Sequence, residues 1–418
     1  MKIGDLNIDD VKKFMRPENG SIYPTLGGDP EFFVAVKKDG TILNSDRFFP
    51  GKHSPIEVGE CSDPKKNSKL YFDGIQAELA PGYSTCRETL AYNLRTVLQR
   101  AFEKIGPENE IVLKPAVKMK KSILDIADPE ARIFGCMPDF NAYTRSVNTP
   151  EMDASSHMYR YAGGHIHLGV SSEYAAKGSP EKKMVEDQEK HLEIIKALDL
   201  LVSLVTLPLD NADGSSHRRS KYGKAGCFRP TPYGVEYRTP SCWWLKSPAT
   251  LSLVYGMARL AWNMVVKNTV PRLMEIAKID EQEVRGIIDE GDIKSAYSVW
   301  EKIRPVVAVS EAQGFNPLHA GACESVNGFG GLWGYNTIEV LKLGKKYTTS
   351  SPGMVHNIAV FEYLLKNGLD PIVSAVESEW LLSNPRHTYL NGFTKSALSL
   401  VGNEDFIKFQ NSLMKEMW

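Results

Sequence analysis

An α+β fold built on an antiparallel sheet is the class this sequence predicts, and three observations carry it. Short apolar, strand-like runs separated by Gly, Pro and Asp turns fill the first half of the chain. Two long segments then open on Ser-Pro steps and continue with apolar residues at helical spacing. From about residue 270 to 418 the pattern is mostly helical, with one Gly-rich interruption at "NGFGGLWGYN". Strands first and helices after them argue for a sheet with helices on one face.

The elements follow in order. "TLGGDPEFFVAVKKDGTIL" reads as a hairpin, with a strand around Glu31–Val36, a Lys-Asp-Gly turn and a return strand. A Pro/Gly/Lys-rich loop runs from Pro50 to Lys69, and "YFDGIQAELAP" reads as one strand. Thr85 and Glu88 form a capping box before the helical set Leu90, Leu94, Leu98 and Phe102. "GGHIHLGV" is the next strand. Ser179-Pro180 opens a helix whose apolar stripe is Val185, Leu192, Ile195, Leu198, Val202 and Val205. A basic polar loop, "DGSSHRRSKYGKAGCFRPTPYG", leads to the strand "VEYRTPS". Ser247-Pro248 then starts a helix that runs to about Lys267. Residues 1–270 read as the core domain and 271–418 as a helical extension packed on it.

Composition removes several function classes. The chain has 418 residues, 42% of them hydrophobic, and a formal charge of −1. That balance speaks against general nucleic-acid binding, which needs a basic excess. The longest apolar run, Leu200–Leu209, is interrupted by Pro208 and too short to span a bilayer. The N-terminus lacks an apolar signal region. The six cysteines show no CxxC spacing and read as reduced thiols, so a cytoplasmic location is expected. There is no P-loop, no HExxH and no G-x-S-x-G elbow.

Side chains at i and i+2 on a strand share a face. Four candidate strands carry polar pairs at that spacing: Asp29 and Glu31, Gln76 and Glu78, His165 and His167, Glu236 and Arg238. The residues between them are Pro30, Ala77, Ile166 and Tyr237, so one face is polar and the other is core. A wet sheet face could carry charged residues for no functional reason. Here, however, the positions avoid the Thr, Lys and Ser that such faces favour, and two pairs lie beside Gly27-Gly28 and Gly163-Gly164. Crowded carboxylates are relieved by divalent cations. Asp29, Glu31, Glu78, Glu236 and one histidine make a ligand set for about two Mg²⁺ or Mn²⁺ ions. Zinc through His165 and His167 is the alternative. Arg218, Arg219, Lys221, Arg229 and Arg238 supply positive charge for phosphate. Metals and arginines on one surface point to phosphoryl transfer.

In this order, "GGDPEF", "DGIQAEL", "GGHIHLG" and "YGVEYR" resemble the carboxylate–amine ligase superfamily of glutamine synthetase and glutamate–cysteine ligase. The closest likeness is to its phage phiEco32-like COOH–NH2 ligase branch, over about Thr25 to Pro248. The resemblance implies a curved antiparallel sheet that cradles ATP and two or more Mg²⁺ or Mn²⁺ ions. It makes Asp29, Glu31, Glu78, His165 and Glu236 metal ligands. His167, Arg229 and Arg238 become catalytic residues that meet phosphate, and Arg218, Arg219, Lys221 and Gln76 nucleotide-binding ones. One departure stands out: Leu70 occupies the position of a further metal-binding Glu, with Asp73 as a possible substitute.

The implied activity is ATP-dependent joining of a carboxylate to an amine through an acyl phosphate. Its partners would be a small-molecule or peptide carboxylate and an amine, with no membrane. Lid candidates are Pro50–Lys69, Ser215–Gly226 and "NGFGGLWG". Two other readings stay open: an H-x-H metallohydrolase that needs no ATP, and a non-catalytic phage protein with a degenerate ligase fold.

Overall fold

The computed structural model describes residues 24–59, 67–85, 87–132, 139–148, 157–170, 179–246 and 248–314, with 408 and 412 besides. The capping box at Thr85–Glu88 and "NGFGGLWG" fall wholly or partly outside the described residues.

The spine of the sheet is β1 (Thr25–Val36), longer than the expected Glu31–Val36. Its first half pairs antiparallel with β11 (Gly164–Gly169), from Thr25 opposite Gly169 to Pro30 opposite Gly164. Glu31 and Phe32 pair with β5 (Gln76–Ala80). Phe33 to Val36 pair with β6 (Asn109–Val112), and the short return strand β2 (Ile42–Leu43) also joins here. The change of partners falls at Pro30, which has no N–H to donate. Gly164 N donates instead to Pro240 O at 3.0 Å, and Glu31 N to Gly163 O at 2.9 Å.

Outward from β1 on one side lie β5, β4 (Ser68–Asp73) and β3 (Ile56–Val58). On the other lie β11, β13 (Gly234–Tyr237), β12 (Cys227–Thr231), β8 (Asp139–Asn141) and β9 (Ser146–Asn148). All these pairings are antiparallel. A separate ribbon joins β7 (Ala116–Lys118) and β10 (Tyr159–Tyr161). "YFDGIQAELAP" is not one strand. Gly74 and Ile75 form a two-residue turn with Gly74 at φ 70°, and the chain doubles back so that Asp73 faces Gln76. Ile75, at the turn, is fully buried, which hid the hairpin behind an apolar run.

Helix α1 (Arg87–Ile105) lays Leu90, Leu94 and Leu98 on the sheet. A short α2 (Lys121–Asp125) follows. The helix opened by Ser179-Pro180 is two helices, α3 (Pro180–Glu186) and α4 (Gln188–Leu198). Ser179 caps α3 by accepting from Lys182 N, and Asp187 turns extended and caps α4 through Glu189 N. A buried π-helical stretch, Asp199–Leu204, continues α4. The basic "loop" is partly a helix, α5 (Ser215–Lys221). Then come α6 (Pro248–Val266), α7 (Val270–Ala277), α8 (Glu281–Glu290) and α9 (Ile293–Gly314).

Phe32, Ala77, Ile166, Val235 and Tyr237 point from the sheet into one large core with α1, α4 and α6. Leu273, Ile288, Trp300 and Ile303 belong to the same core, so packing runs unbroken across residue 270. A second, smaller core gathers Phe33, Phe72, Ile75, Val117 and Leu124. Among the described residues no helix is long and apolar enough to cross a membrane.

Glycines at the crossing of β1 and β11 make room for the protein's own atoms. A Cβ on Gly164 would lie 2.2 Å from Ser241 O and 2.5 Å from Trp244 Nε1. Gly164→Ala should therefore lower stability by about 1–3 kcal/mol, the usual cost of overpacking. Gly27→Ala, whose methyl would meet only ordinary contacts near 3.5 Å, should change it far less. Thermal melts of the two variants check this, and equal melting temperatures would contradict it.

Candidate active site

The strand register builds the site. Asp29 lies opposite His165, Glu31 opposite Glu78, and His167 opposite both Gly27 and Glu236. Arg229 on β12 then faces Glu236. All these side chains project from the face opposite the large core.

They gather into two groups that β1 links, because Asp29 and Glu31 put one carboxylate into each. In the first group, ligand atoms of Asp29, His167 and Glu236 lie within 4.8 Å of one another. Asp29 Oδ1 is 2.9 Å from His165 Nδ1 and 3.3 Å from His167 Nε2. Neither approach is aligned as a hydrogen bond, and Asp29 Oδ1 and His167 Nε2 are both buried without a hydrogen-bond partner. Burial alone would raise the Asp29 pKa. The two imidazoles overcome that and hold it well below the usual carboxylate range. Burial would likewise lower His167, but Asp29 and Glu236 raise it.

In the second group, Glu31, Asp73 and Glu78 offer three carboxylate oxygens within 4.8 Å of one another. Glu31 accepts from Gly163 N, and Glu78 from the Tyr71 hydroxyl. Burial raises both glutamates, Glu78 well above the usual range with Asp29 as the next cause. Asp73, the possible substitute for the Glu absent at position 70, is the third member of this group. Leu70 itself is fully buried in the core and pairs with Leu79 across the hairpin. Gln76 sits opposite Asp73, and its Oε1 is buried without a hydrogen-bond partner.

Both groups fit divalent cations by their donors. The second is all oxygen and suits Mg²⁺ or Mn²⁺, and the first mixes two carboxylates with one imidazole, which Mn²⁺ accepts. His165 was expected to be the metal-binding histidine and His167 the phosphate one. The geometry gives His167 to the first carboxylate group. His165 adjoins the same group: its Nδ1 is 2.9 Å from Asp29 Oδ1 and 3.6 Å from Glu236 Oε1, while its Nε2 shares a 2.6 Å hydrogen bond with the Tyr222 hydroxyl.

The arginines divide. Arg229 Nη1 meets Glu236 Oε2 at 3.1 Å, and Arg238 bonds Glu236 while its Nε lies 2.8 Å from Asp139 Oδ1. Arg238 also donates to the Tyr222 hydroxyl, so both guanidinium groups border the first carboxylate group. Arg218 does not join them. It is fully buried and donates to the carbonyls of Arg238, Thr239 and Pro240 at 2.7–3.2 Å. Arg219 is buried and donates to Asp210 O at 3.1 Å, and Lys221 is exposed at the end of α5. Arg218 and Arg219 thus brace the backbone instead of facing a ligand. For the same reason Ser215–Gly226 is no lid: Ser215, Arg218, Arg219, Tyr222 and Ala225 are built into the interior. The glycines beside His165 do not open space for phosphate either. A Cβ on Gly163 would strike the His165 ring 2.2 Å away, and one on Gly28 the Tyr255 hydroxyl at 2.4 Å.

Sequence reasoning missed Tyr71, Lys52, Asp139 and Tyr222. Tyr71 had a signal. Once the Gly74-Ile75 turn is read, Tyr71 and Asp73 fall on the same face as Gln76 and Glu78. Tyr222 had none, because its neighbours His165 and Arg238 are distant in sequence.

Beneath the site, on the core side, Tyr237 donates to Asp199 Oδ1 at 2.6 Å and shares a 2.5 Å hydrogen bond with Ser203. This anchors β13 to the π-helical stretch. Burial pushes the Asp199 pKa up to about 7. The folded pKa lies above the unfolded one, so the contribution to stability is full at low pH and is lost as pH rises to about 7. Wild type should therefore lose stability relative to Asp199→Asn between about pH 4 and about pH 7. Parallel pH series of thermal melts measure this, and a constant difference would contradict it.

No curated protein matches the chain. Residues 185–315, from α4 to the end of α9 and including β12 and β13, match the family of phage phiEco32-like COOH–NH2 ligases, type 2, the same family that the four motifs resemble.

Proposed function

We propose that this protein is an ATP-dependent carboxylate–amine ligase that works through an acyl phosphate with two Mg²⁺ or Mn²⁺ ions. The matched family is named for a ligase of COOH and NH2 groups. The observation that carries the finer reading is the pair of adjoining groups, Asp29–His167–Glu236 and Glu31–Asp73–Glu78, on one sheet face. Such a surface is built for a polyanion bridged by cations, as a nucleotide triphosphate is.

In this reading Asp29, His167 and Glu236 would hold one ion and Glu31, Asp73 and Glu78 the other. When bound, the ions neutralise phosphate charge and polarise the γ-phosphoryl group. Arg229 reaches the site from β12 with its side chain part-exposed, and so can meet an equatorial phosphoryl oxygen. Arg238 is tied to Glu236, Asp139 and Tyr222, and it fixes Glu236 and supports the same charge from behind. A carboxylate oxygen of the substrate attacks the γ-phosphorus and ADP leaves. The amine nitrogen then attacks the acyl carbon, phosphate leaves, and the nitrogen gives up a proton. His165 Nε2 is engaged by the Tyr222 hydroxyl, which gives less support to a zinc hydrolase that needs both imidazoles as ligands.

With ATP, a divalent ion and a suitable pair of carboxylate and amine, the protein should release ADP and phosphate in step with amide formation. Nucleotide analysis of the reaction decides it. AMP and pyrophosphate would exclude the acyl phosphate, and substrate cleavage without ATP would favour a hydrolase.

Glu78→Gln separates the metal role from a wet sheet face. Removing one of three crowded charges should leave the metal-free protein as stable as wild type or more so, because burial already disfavours the ionised form. The same change should weaken Mn²⁺ binding at one site by at least the roughly 10–100-fold that loss of a supporting ligand partner costs. Melting with and without Mn²⁺ reads both effects. An unchanged Mn²⁺-induced shift would remove Glu78 from the ligand set.

A further inference from the structure

The two carboxylate groups are not compensated alike. Around Asp29, His167 and Glu236, two guanidinium groups are built into the sheet through Glu236. Around Glu31, Asp73 and Glu78, the cation in ion-pair range among the described residues is Lys52. Its Nζ is 3.2 Å from Asp73 Oδ2 and 3.9 Å from Glu78 Oε2.

Lys52 is carried by a fixed stretch of backbone. Phe72 N donates to Pro50 O at 2.9 Å, and Ser54 N to Gly51 O at 3.0 Å. Gly51 lies close against its surroundings: a Cβ there would lie 2.7 Å from Glu130 Oε2 and 3.3 Å from the Phe72 ring. The ammonium passes 5.4 Å from the centre of the Tyr71 ring, whose hydroxyl holds Glu78.

Exposure decides what this arrangement can do. The Lys52 side chain is 55% exposed, against 19% for Asp73 and 5% for Glu78. The lysine approaches from the solvent side and loses little by leaving, because water solvates it. The carboxylates cannot leave and need a positive partner. A half-exposed lysine pair is weak, whereas a divalent ion bound by three carboxylates at once is strong.

We propose that Lys52 and a divalent ion compete for Glu31, Asp73 and Glu78, and that the displaced ammonium, tethered by its fixed backbone, then binds the anionic group on the solvent side of the ion. That group is a phosphate or carboxylate oxygen of the reactants, which a compact ammonium suits as a point charge. The inference rests on the metal reading given above for the same carboxylates. It adds a reactant-binding residue, and it makes ion binding the event that releases it.

The test is Mn²⁺ titration of the full chain, followed by the paramagnetic signal of free Mn²⁺, for wild type, Lys52→Met and Lys52→Gln. Circular dichroism first verifies that the variants fold. Both should bind Mn²⁺ at one of two sites roughly two- to fivefold more tightly, the size expected when one weak competing pair is removed. At saturating Mn²⁺, ADP release should fall, by roughly 10²-fold if the ammonium meets developing charge. Unchanged or weaker Mn²⁺ affinity in the variants, with normal binding by wild type, overturns the competition. Tighter binding with full turnover overturns the reactant-binding role. Wild type that binds no Mn²⁺ would overturn the metal reading itself, and this proposal with it.

Discussion

Crowding of carboxylates on one face of β1 is the constraint to which the rest of the structure responds. Asp29 and Glu31 point the same way from neighbouring alternate positions, and the register sets Glu31 against Glu78. Two glutamates directly opposite one another repel. Nothing in the strand needs them there, since a Thr or Val would pair better at either place. Each charged neighbour reads as an answer to this repulsion. His165 and His167 flank Asp29, the Gly163 N–H and the Tyr71 hydroxyl hold the two glutamates, and Lys52 reaches in from the open side.

The responses differ across the sheet, and the difference is structural. On the β13 side one compensating charge, that of Arg238, is buried and so permanent. Arg238 is locked to Glu236, Asp139 and Tyr222, and Arg218 holds the carbonyls of residues 238–240 from beneath. A buried guanidinium held by ion pairs or carbonyls is costly to move. On the β4 side the compensation is an exposed lysine. The site therefore has one fixed pole and one adjustable pole, and Asp29 and Glu31 on β1 couple them.

The polar row itself was legible in the sequence, because its signal is local. Residues two apart on a strand share a face whatever the rest of the fold does, so Asp29/Glu31, Gln76/Glu78 and His165/His167 could be placed on a common surface. Turn chemistry was legible too and was misread at Gly74-Ile75, where apolar Ile75 made a hairpin look like one strand. Less visible was which positive charges face outward. Arg218 and Arg219 lie in a polar, basic stretch that reads as solvated, yet both are buried. Their partners are main-chain carbonyls, which leave no trace in side-chain composition. Glycine was ambiguous for the same reason: Gly163 and Gly164 serve the His165 ring, the Ser241 carbonyl and the Trp244 indole.

The division of the chain between frame and chemistry follows from the same geometry. Of the residues in the two carboxylate groups, only Glu236 lies within residues 185–315; Asp29, Glu31, Asp73, Glu78 and His167 come from strands before it. The segment from α4 to α9 supplies the core against which the sheet is flattened and the braces, Arg218 and the Asp199–Tyr237 link, that hold β12 and β13. The strands before it supply most of the charge. Neither part is sufficient alone. Carboxylates without the frame would spread apart to relieve their repulsion, and the frame without the earlier strands would leave Arg229 and Arg238 with Glu236 but without Asp139. The two parts pair through β8–β12 and through the β11–β13 ladder, where His167 faces Glu236. Among the described residues the β11–β13 ladder is the strand pairing that joins a group member from each part, so its register sets much of the geometry of the first carboxylate group.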